Sequence, residues 1–271
     1  MKIGKSTVPR TAICTSDEHT IVVRGEDLCN DLIGHVSFAD YFFLLLTGRK
    51  PDAPASKVLE ATLVAIAEHG LVPSVQASRM TLAAAPDALQ GAVAAGILGC
   101  GSVILGASET AGRLFARIDT LARERDLALD VAADLVVREL RAAGQAIPGY
   151  GHPLHKARDP RVARLFEVAA EAGTPGRFVA IAEAIERVLP GITGRDLRLN
   201  VSAAIPAVLL DVGFPLDALK GVPILARTAG LIGHLTEELS KPIGFALSYQ
   251  ATREQRYTGK LPEGWTPKAE A

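Results

Sequence analysis

The stretch PGYGHPLHKARDPR, residues 148–161, concentrates side chains that can do chemistry. His152 stands between Gly151 and Pro153, so the backbone is free of side-chain bulk on one side and restrained on the other. That setting suits a positioned imidazole, which can take up or release a proton near neutral pH. The alternative is a histidine that only satisfies carbonyl groups of its own loop.

Arg161 follows Pro160, where the sequence predicts the start of a helix. Its guanidinium matches the geometry of a carboxylate, and the helix N-terminus beside it also favours an anion. The alternative is a surface arginine, although a cation is not what a helix N-terminus favours. Arg161 therefore strengthens the functional interpretation of His152.

A second arginine, Arg227, lies in an otherwise apolar segment that includes Ile224, Leu225 and Leu231. Burying a guanidinium without a partner is costly, so a bound anion or an acidic partner is expected there. His234 follows seven residues later on the same helix face and is interpreted as a core or interface histidine.

The stretch at 148–161 resembles the histidine loop of the citrate synthase superfamily, in which PG[FY]GH precedes the arginine of a DPR by nine residues. Over about residues 20–257, further segments agree in the same order. The AEHG segment and the Gly-rich stretch after it are similar to the citryl-CoA lyase module, which also ends ATP-citrate lyase. The agreeing segments are VVRGEDL, FADYFFLLLTGRKP, AEHG, LRLNVSAAIPAVLLDVGFP and ARTAGLIGHLTEELSKP.

The resemblance implies a role for five residues. His152 hydrogen-bonds the oxygen on the carbon that is bonded or cleaved, while Arg161 and Arg227 bind substrate carboxylates. His69, in AEHG, matches a substrate-site histidine of the lyase module; the alternative is a cationic side chain at a helix C-terminus. Ser202 stands where the superfamily has its catalytic aspartate.

Two departures from the family pattern bear on the reaction. Citrate synthases carry a histidine in GPLHG, and this chain has Leu105 in SVILG; the lyase module also lacks that histidine. Asn200-Val201 is followed by Ser202, whose hydroxyl can donate a hydrogen bond but cannot act as a base near neutral pH. Loss of a positioned acid or base costs roughly 10²- to 10⁴-fold in rate, so weak activity or a different substrate is an open alternative.

The resemblance therefore implies a carbon–carbon lyase that cleaves a hydroxyacyl-CoA, such as citryl-CoA, to acetyl-CoA and oxaloacetate. Lys156 and Arg158 are candidates to meet the phosphates of coenzyme A, the alternative being a solvated loop. No metal and no cofactor beyond the thioester substrate are expected. Two alternatives remain open: a citrate or methylcitrate synthase, and a non-catalytic binding protein, which Ser202 favours.

The elements that must position these residues are predominantly helical, because the apolar residues recur at helical spacing without a convincing series of alternating strands. One helix opens at Ser37 and Asp40, a capping pair, and ends at Gly48. Another runs from Pro54 to His69-Gly70. Further helices are predicted to end at Gly144, to run from Pro160 to Gly173 and from Gly176 to Leu189, where Pro190 breaks the helix, and to span 200–210 and 223–239.

The segment Ala88–Ala107 is uncharged over a length that a membrane span would need. Its glycines and alanines favour instead a buried helix that packs closely, and a subunit contact is one use for it. By resemblance the fold is all-α and citrate synthase-like. A large domain at 1–107 and 216–271, a smaller domain at 108–215 that closes over a cleft, and a homodimer or larger assembly are expected.

The composition excludes several classes of protein. The chain is 48% hydrophobic and 22% charged, with 29 basic against 30 acidic residues, which is typical of a folded globular protein and not of one that binds nucleic acid. Its cysteines, Cys14, Cys29 and Cys100, form no CxxC pair, so neither a disulfide framework nor a zinc site is predicted and a cytoplasmic location is expected. The N-terminus lacks the apolar core of a secretory signal.

Overall fold

The computed structural model describes residues 8–101, 105–151 and 159–265. These residues form eleven α-helices, one three-stranded antiparallel sheet and two short turns of other helix types at Leu28–Leu32 and Leu216–Ala218. The predicted, predominantly helical fold is confirmed. The helices are α1 Phe38–Thr47, α2 Ala53–Ala67, α3 Pro73–Ala84, α4 Leu89–Leu98, α5 Gly106–Glu124, α6 Leu129–Ala142, α7 Pro160–Glu171, α8 Arg177–Thr193, α9 Val201–Asp211, α10 Gly221–Ser240 and α11 Gly244–Glu254.

The sheet joins β1 Cys14–Ser16, β2 Ile21–Val23 and β3 Glu26–Asp27 in that order. Val23 pairs with Cys14 on one side and with Glu26 on the other. The sequence analysis did not predict these strands, because two or three residues are too few to show the alternation of a half-buried strand.

Several predicted helix boundaries are confirmed by the capping groups. Ser37 accepts a hydrogen bond from the backbone of Asp40 at the start of α1, and Gly48 ends that helix with a left-handed φ of 74°. Asp159 caps α7 and Asn200 caps α9 in the same way.

Other predictions at the helix ends were wrong. Helix α8 continues through Pro190 to Thr193, because a proline near the end of a helix removes only one amide donor from the last turns. Helices α3 and α11 were not predicted, since polar residues interrupt their apolar spacing.

The prediction of a long buried helix over Ala88–Ala107 was also wrong. Helix α4 ends at Leu98, whose side chain is 85% exposed, and it buries only Ala92 and Gly96. A methyl group added at Gly96 would lie 2.8 Å from the carbonyl oxygen of Ser74, so small residues serve the contact between α4 and α3. Within the described ranges, no helix has the length and apolar character to cross a membrane.

The chain divides into two compact units, named here unit 1 (Met1–His69 with Gly99–Gly230) and unit 2 (Gly70–Leu98 with Leu231–Ala271). Their boundaries differ from those of the predicted large and small domains, and that division stays a prediction. Unit 1 holds the main hydrophobic core, built on α2 and α5 to α9. Its fully buried large side chains include Phe43, Phe115, Ile181, Ile185 and Leu209.

Unit 2 is organised around a buried ion pair. The Nε atom of Arg79 on α3 donates to Glu238 on α10 at 2.5 Å, and both side chains are 3% exposed. The other oxygen of Glu238 accepts from the backbone of Ile243 and Gly244, where α11 begins. One carboxylate therefore joins three helices.

Candidate functional site

The predicted site residues His152, Lys156 and Arg158 lie outside the described residues. The described residues on either side, Gly151 and Asp159, both contact the start of α9, which carries Ser202. The two ends of this segment are therefore anchored at one place in unit 1.

The residues before the segment are held by backbone geometry. Gly149 has a φ of +85°, and a methyl group on it would lie 2.5 Å from the Cβ atom of Ala203 on α9. The backbone of Gly151 donates to the carbonyl of Arg198 at 2.7 Å, and the buried Tyr150 hydroxyl donates to the carbonyl of Ala182 at 2.8 Å. Only glycine satisfies both the positive φ and the close approach at position 149.

Asn200 links this backbone to Ser202. Its side-chain oxygen accepts from the backbone of Ser202 at 2.9 Å, which caps α9, and its amide donates to the carbonyl of Gly151 at 2.7 Å. Its own backbone donates to the carbonyl of Gly149 at 3.0 Å. One side chain therefore sets the position of Ser202, at the second residue of α9, relative to the residue before His152.

Asp159 anchors the far end of the segment. Its side chain is 1% exposed and accepts from the Nε atom of Arg161 at 3.1 Å and from the Nη2 atom at 2.8 Å. It also accepts from the backbone of Arg161 at 3.0 Å and from that of Val201 at 3.3 Å. Burial alone would raise the pKa of Asp159, but the hydrogen bonds and charge of Arg161, with the Val201 bond, hold that pKa below its ordinary value.

Arg161, the predicted carboxylate anchor, keeps 23% of its side chain exposed while it pairs with Asp159. With Lys57, Val64, Arg164 and other residues it lines a groove of about 480 Å³ between α2 and α7. Its role towards a substrate stays a prediction.

His69 and Arg227 belong to a second group of predicted residues, where α10 approaches the end of α2. A methyl group added at Gly230 would lie 3.1 Å from the carbonyl carbon of Ala67, and closer still to its oxygen. His69 follows two residues after Ala67, and Arg227 precedes Gly230 by one helical turn. The structure thus brings the segment of His69 beside the helix of Arg227.

Arg227 is only 3% exposed. Its Nε and Nη1 atoms are buried and have no hydrogen-bond partner in the described structure. Buried guanidinium donors without partners are costly, so this side chain is poised for an anion. The sequence analysis expected an anion or an acidic partner at this position, and the described residues supply no acidic partner.

His69 is exposed, and its backbone donates to the side chain of Glu68 at 2.8 Å. His234 is partly buried on the half of α10 that belongs to unit 2. Leu105 is buried at the start of α5 and offers no polar group to a thioester. Among the residues that the structure describes, no cluster of His, Cys, Asp or Glu side chains is placed to hold a metal ion.

Asp159, Asn200 and Gly230 were not identified as part of the site from the sequence. Asp159 and Asn200 had a signal, because Asp159 precedes one predicted helix and Asn200 opens another, where capping residues stand. The contacts of Asp159 with Val201 and of Asn200 with Gly151 depend on tertiary packing.

Comparisons with known proteins confirm the predicted citrate synthase-like fold. The family model described as "Citrate synthase, C-terminal domain" matches residues 7–243. The structure is similar to that of citryl-CoA lyase from Hydrogenobacter thermophilus, with a TM-score of 0.83 and 32% identity over 96% of this chain and 98% of that one. It is also similar to ATP citrate lyase from Methanothrix soehngenii in complex with citrate and coenzyme A, with a TM-score of 0.77 and 25% identity over 98% of this chain and 44% of that one.

Curated relatives include a citrate synthase from Synechocystis, 28% identical over 76% of this chain and 50% of that protein. Another is a citrate synthase from Haloferax volcanii, 24% identical over 90% of this chain and 61% of that protein. The chain therefore spans about half to three fifths of the length of these relatives.

Proposed function

We propose that this chain, which belongs to the citrate synthase family, is a carbon–carbon lyase that cleaves a hydroxyacyl-CoA thioester such as citryl-CoA to acetyl-CoA and oxaloacetate. The observation that carries the proposal is the buried guanidinium of Arg227, whose Nε and Nη1 atoms have no partner among the described residues. It lies on the helix that meets the segment of His69. A carboxylate of a small hydroxy acid would supply the missing partner.

The similarity to citryl-CoA lyase, which extends over nearly all of both chains, supports cleavage over condensation. Buried Leu105 supports the same assignment, because the citryl-CoA lyase module also lacks the histidine that citrate synthases hold towards the thioester carbonyl. In the proposed reaction His152 takes the proton of the substrate hydroxyl. The carbon–carbon bond then breaks, its electrons form the enolate of acetyl-CoA, and a proton returned to that carbon completes the product.

Other residues would bind and orient the substrate. Arg161 and Arg227 would hold its two carboxylates, and Lys156 with Arg158 would meet the phosphates of coenzyme A. Ser202 can donate a hydrogen bond to the enolate oxygen, while the proton that completes acetyl-CoA comes from another acid or from water. Such positioning is worth a large share of the rate even without an acid at the start of α9.

The same family membership leads us to expect a homodimer or larger assembly. In unit 2, Leu239, Phe245 and Tyr249 are 69%, 68% and 65% exposed. Large apolar side chains exposed within eleven residues are typical of an interface. Their burial between two copies of the chain is therefore part of the proposal.

The first test incubates the purified protein with citryl-CoA, and separately with acetyl-CoA plus oxaloacetate, and identifies the products by mass spectrometry. Acetyl-CoA and oxaloacetate released from citryl-CoA, and lost in His152→Ala, are the expected result. Citrate formed from the second mixture, with no cleavage in the first, would contradict the lyase and favour a synthase.

A third function is favoured by one specific observation. Ser202 replaces the carboxylate that the family uses for proton transfer, so the fold could serve binding alone. Calorimetry separates this case, since a binding protein would bind oxaloacetate or citrate and turn over neither mixture.

A further inference from the structure

Asp159 and Arg161 form an arrangement whose geometry limits how Arg161 can meet a substrate. Oxygen Oδ1 of Asp159 accepts from the backbone and the Nε atom of Arg161, and Oδ2 accepts from Nη2 of Arg161 and the backbone of Val201. A carboxylate has about four acceptor positions. All of them are therefore used.

A guanidinium carries five N–H donors in a fixed plane. Asp159 takes the edge formed by Nε and Nη2, and the donors that it leaves belong to the opposite edge, formed by Nη1 and Nη2. Arg161 remains 23% exposed while Asp159 is 1% exposed, so an incoming anion meets the arginine and not the aspartate.

We infer that Asp159 is a positioning residue, which holds the Nε edge of Arg161 so that the Nη1 edge binds a substrate carboxylate. The inference rests on the proposed function, in which Arg161 is a carboxylate anchor. It assigns Asp159 a part in substrate binding through another side chain and no proton transfer of its own.

Two observations argue against a proton-transfer role for Asp159. Its oxygens already accept four hydrogen bonds, so a substrate proton finds no free acceptor. The hydrogen bonds and charge of Arg161 also outweigh burial and lower the pKa of Asp159, which makes it a weak base.

A purely structural role is the competing explanation, because Asp159 also caps α7 and binds the first residue of α9. Two variants separate these roles from the hold on Arg161. Asp159→Ser keeps a capping oxygen for α7 but cannot reach both guanidinium nitrogens. Val201→Pro removes the backbone donor to Asp159 at the first position of α9 and replaces the buried valine side chain with a small apolar ring. Proline is well tolerated at this position, and the preceding Asn200 is already extended.

The experiment measures kcat and KM for citryl-CoA with the wild-type protein and its variants. The single variants are Asp159→Ser, Asp159→Asn and Arg161→Gln, and each Asp159 substitution is also combined with Arg161→Gln in a double variant. Val201→Pro is the control. Melting followed by circular dichroism identifies the variants that are folded. Either Asp159 substitution is expected to raise KM by roughly 10- to 100-fold, with a smaller change in kcat, because hydrogen bonds to a charged group are lost. Val201→Pro is expected to change KM by less than about threefold.

The double variants decide the mechanism. If Asp159 acts through Arg161, each double variant has the KM of Arg161→Gln within about threefold, since the shared contact is lost only once. Losses that multiply, or a loss in Val201→Pro as large as that in Asp159→Ser, would overturn the inference in favour of structural support.

Failure of the proposed function has a different signature. A wild-type protein that does not cleave citryl-CoA but binds oxaloacetate contradicts the lyase alone, and the same variants are then compared by calorimetric Kd for oxaloacetate. Wild-type protein that binds neither citryl-CoA nor oxaloacetate would overturn the inference together with the function.

Discussion

Replacement of Arg227 by methionine should stabilise the unliganded protein and abolish its response to a dicarboxylate. The guanidinium is 3% exposed and two of its nitrogens are buried without a partner in the described structure. Each unsatisfied buried donor costs roughly 1–3 kcal/mol. Methionine fills a similar elongated volume without a charge, so the free energy of unfolding should rise by about 1–3 kcal/mol after some loss of fit.

The substitution should have the opposite effect on the stability gained from a ligand, because Arg227→Met loses the group that binds the carboxylate. A dicarboxylate that binds only the folded protein adds about 2.7 kcal/mol to its stability at one hundred times the Kd. Wild-type protein with saturating oxaloacetate should gain about this amount, while Arg227→Met should gain little. The stability advantage of Arg227→Met should therefore shrink or reverse when the ligand is added, which neither a packing effect nor a general salt effect would produce.

The assay is urea unfolding followed by circular dichroism, with and without oxaloacetate. Arg256→Met, which changes an exposed arginine, is the matched control and should stay within about 0.5 kcal/mol of wild type in both conditions. Lower stability of Arg227→Met without ligand would refute the conclusion that the charge is uncompensated. An undiminished gain with oxaloacetate would refute the assignment of Arg227 as its anchor.

Three further predictions follow from the packing. In the same urea assay, Gly230→Ala should destabilise the fold by about 1–2 kcal/mol, because its methyl group overlaps the backbone at the end of α2. Its control, Gly191→Ala, adds a methyl group in open space on α8 and should stabilise the fold by about 0.5–1 kcal/mol. Burial opposes ionisation of Glu238, but hydrogen bonds from Gly244, Arg79 and Ile243 lower the pKa of its carboxyl group. The stability that ionised Glu238 contributes is therefore present above the ordinary glutamate pKa of 4.5 and is lost as pH falls through the lowered value. Glu238→Gln should flatten this loss of stability in acid unfolding curves, and a curve identical to that of wild type would contradict the prediction. Leu239→Glu should shift the assembly towards a smaller species in light scattering after size exclusion, and a monomeric wild type would count against the interface.

Most of the helical fold could be predicted from local chemistry. Ser37 marks the start of α1 and Gly48 marks its end, because the capping hydrogen bond and the left-handed residue each depend on only four or five neighbouring residues. The end of α4 could not be read in this way. The stretch from Ala88 to Ala107 is uncharged throughout and rich in glycine and alanine, so the spacing of its apolar residues marks no boundary at Leu98.

The candidate site shows the same division between local and tertiary information. The proline before Arg161 signalled a helix start, and α7 begins at that proline. The glycines on either side of Tyr150 both have a positive φ. The hydrogen bond from Val201 to Asp159 joins residues 42 positions apart, and the approach of Gly230 to Ala67 joins two distant helices. Such contacts have no signature in the spacing of residues, because they depend on how the helices pack.

At the start of α9, Ser202 stands where the family has its catalytic aspartate. A carboxylate is still present there, supplied by Asp159 from another part of the chain, but Arg161 and Val201 use all of its acceptor positions. Asp159 can therefore fix a substrate anchor and cannot replace the missing base. In condensation the missing group would remove a proton from the methyl group of acetyl-CoA, and in cleavage the same group would return that proton to the enolate, so its loss affects both directions equally. In the proposed cleavage the enolate must therefore take its proton from water or from another acid.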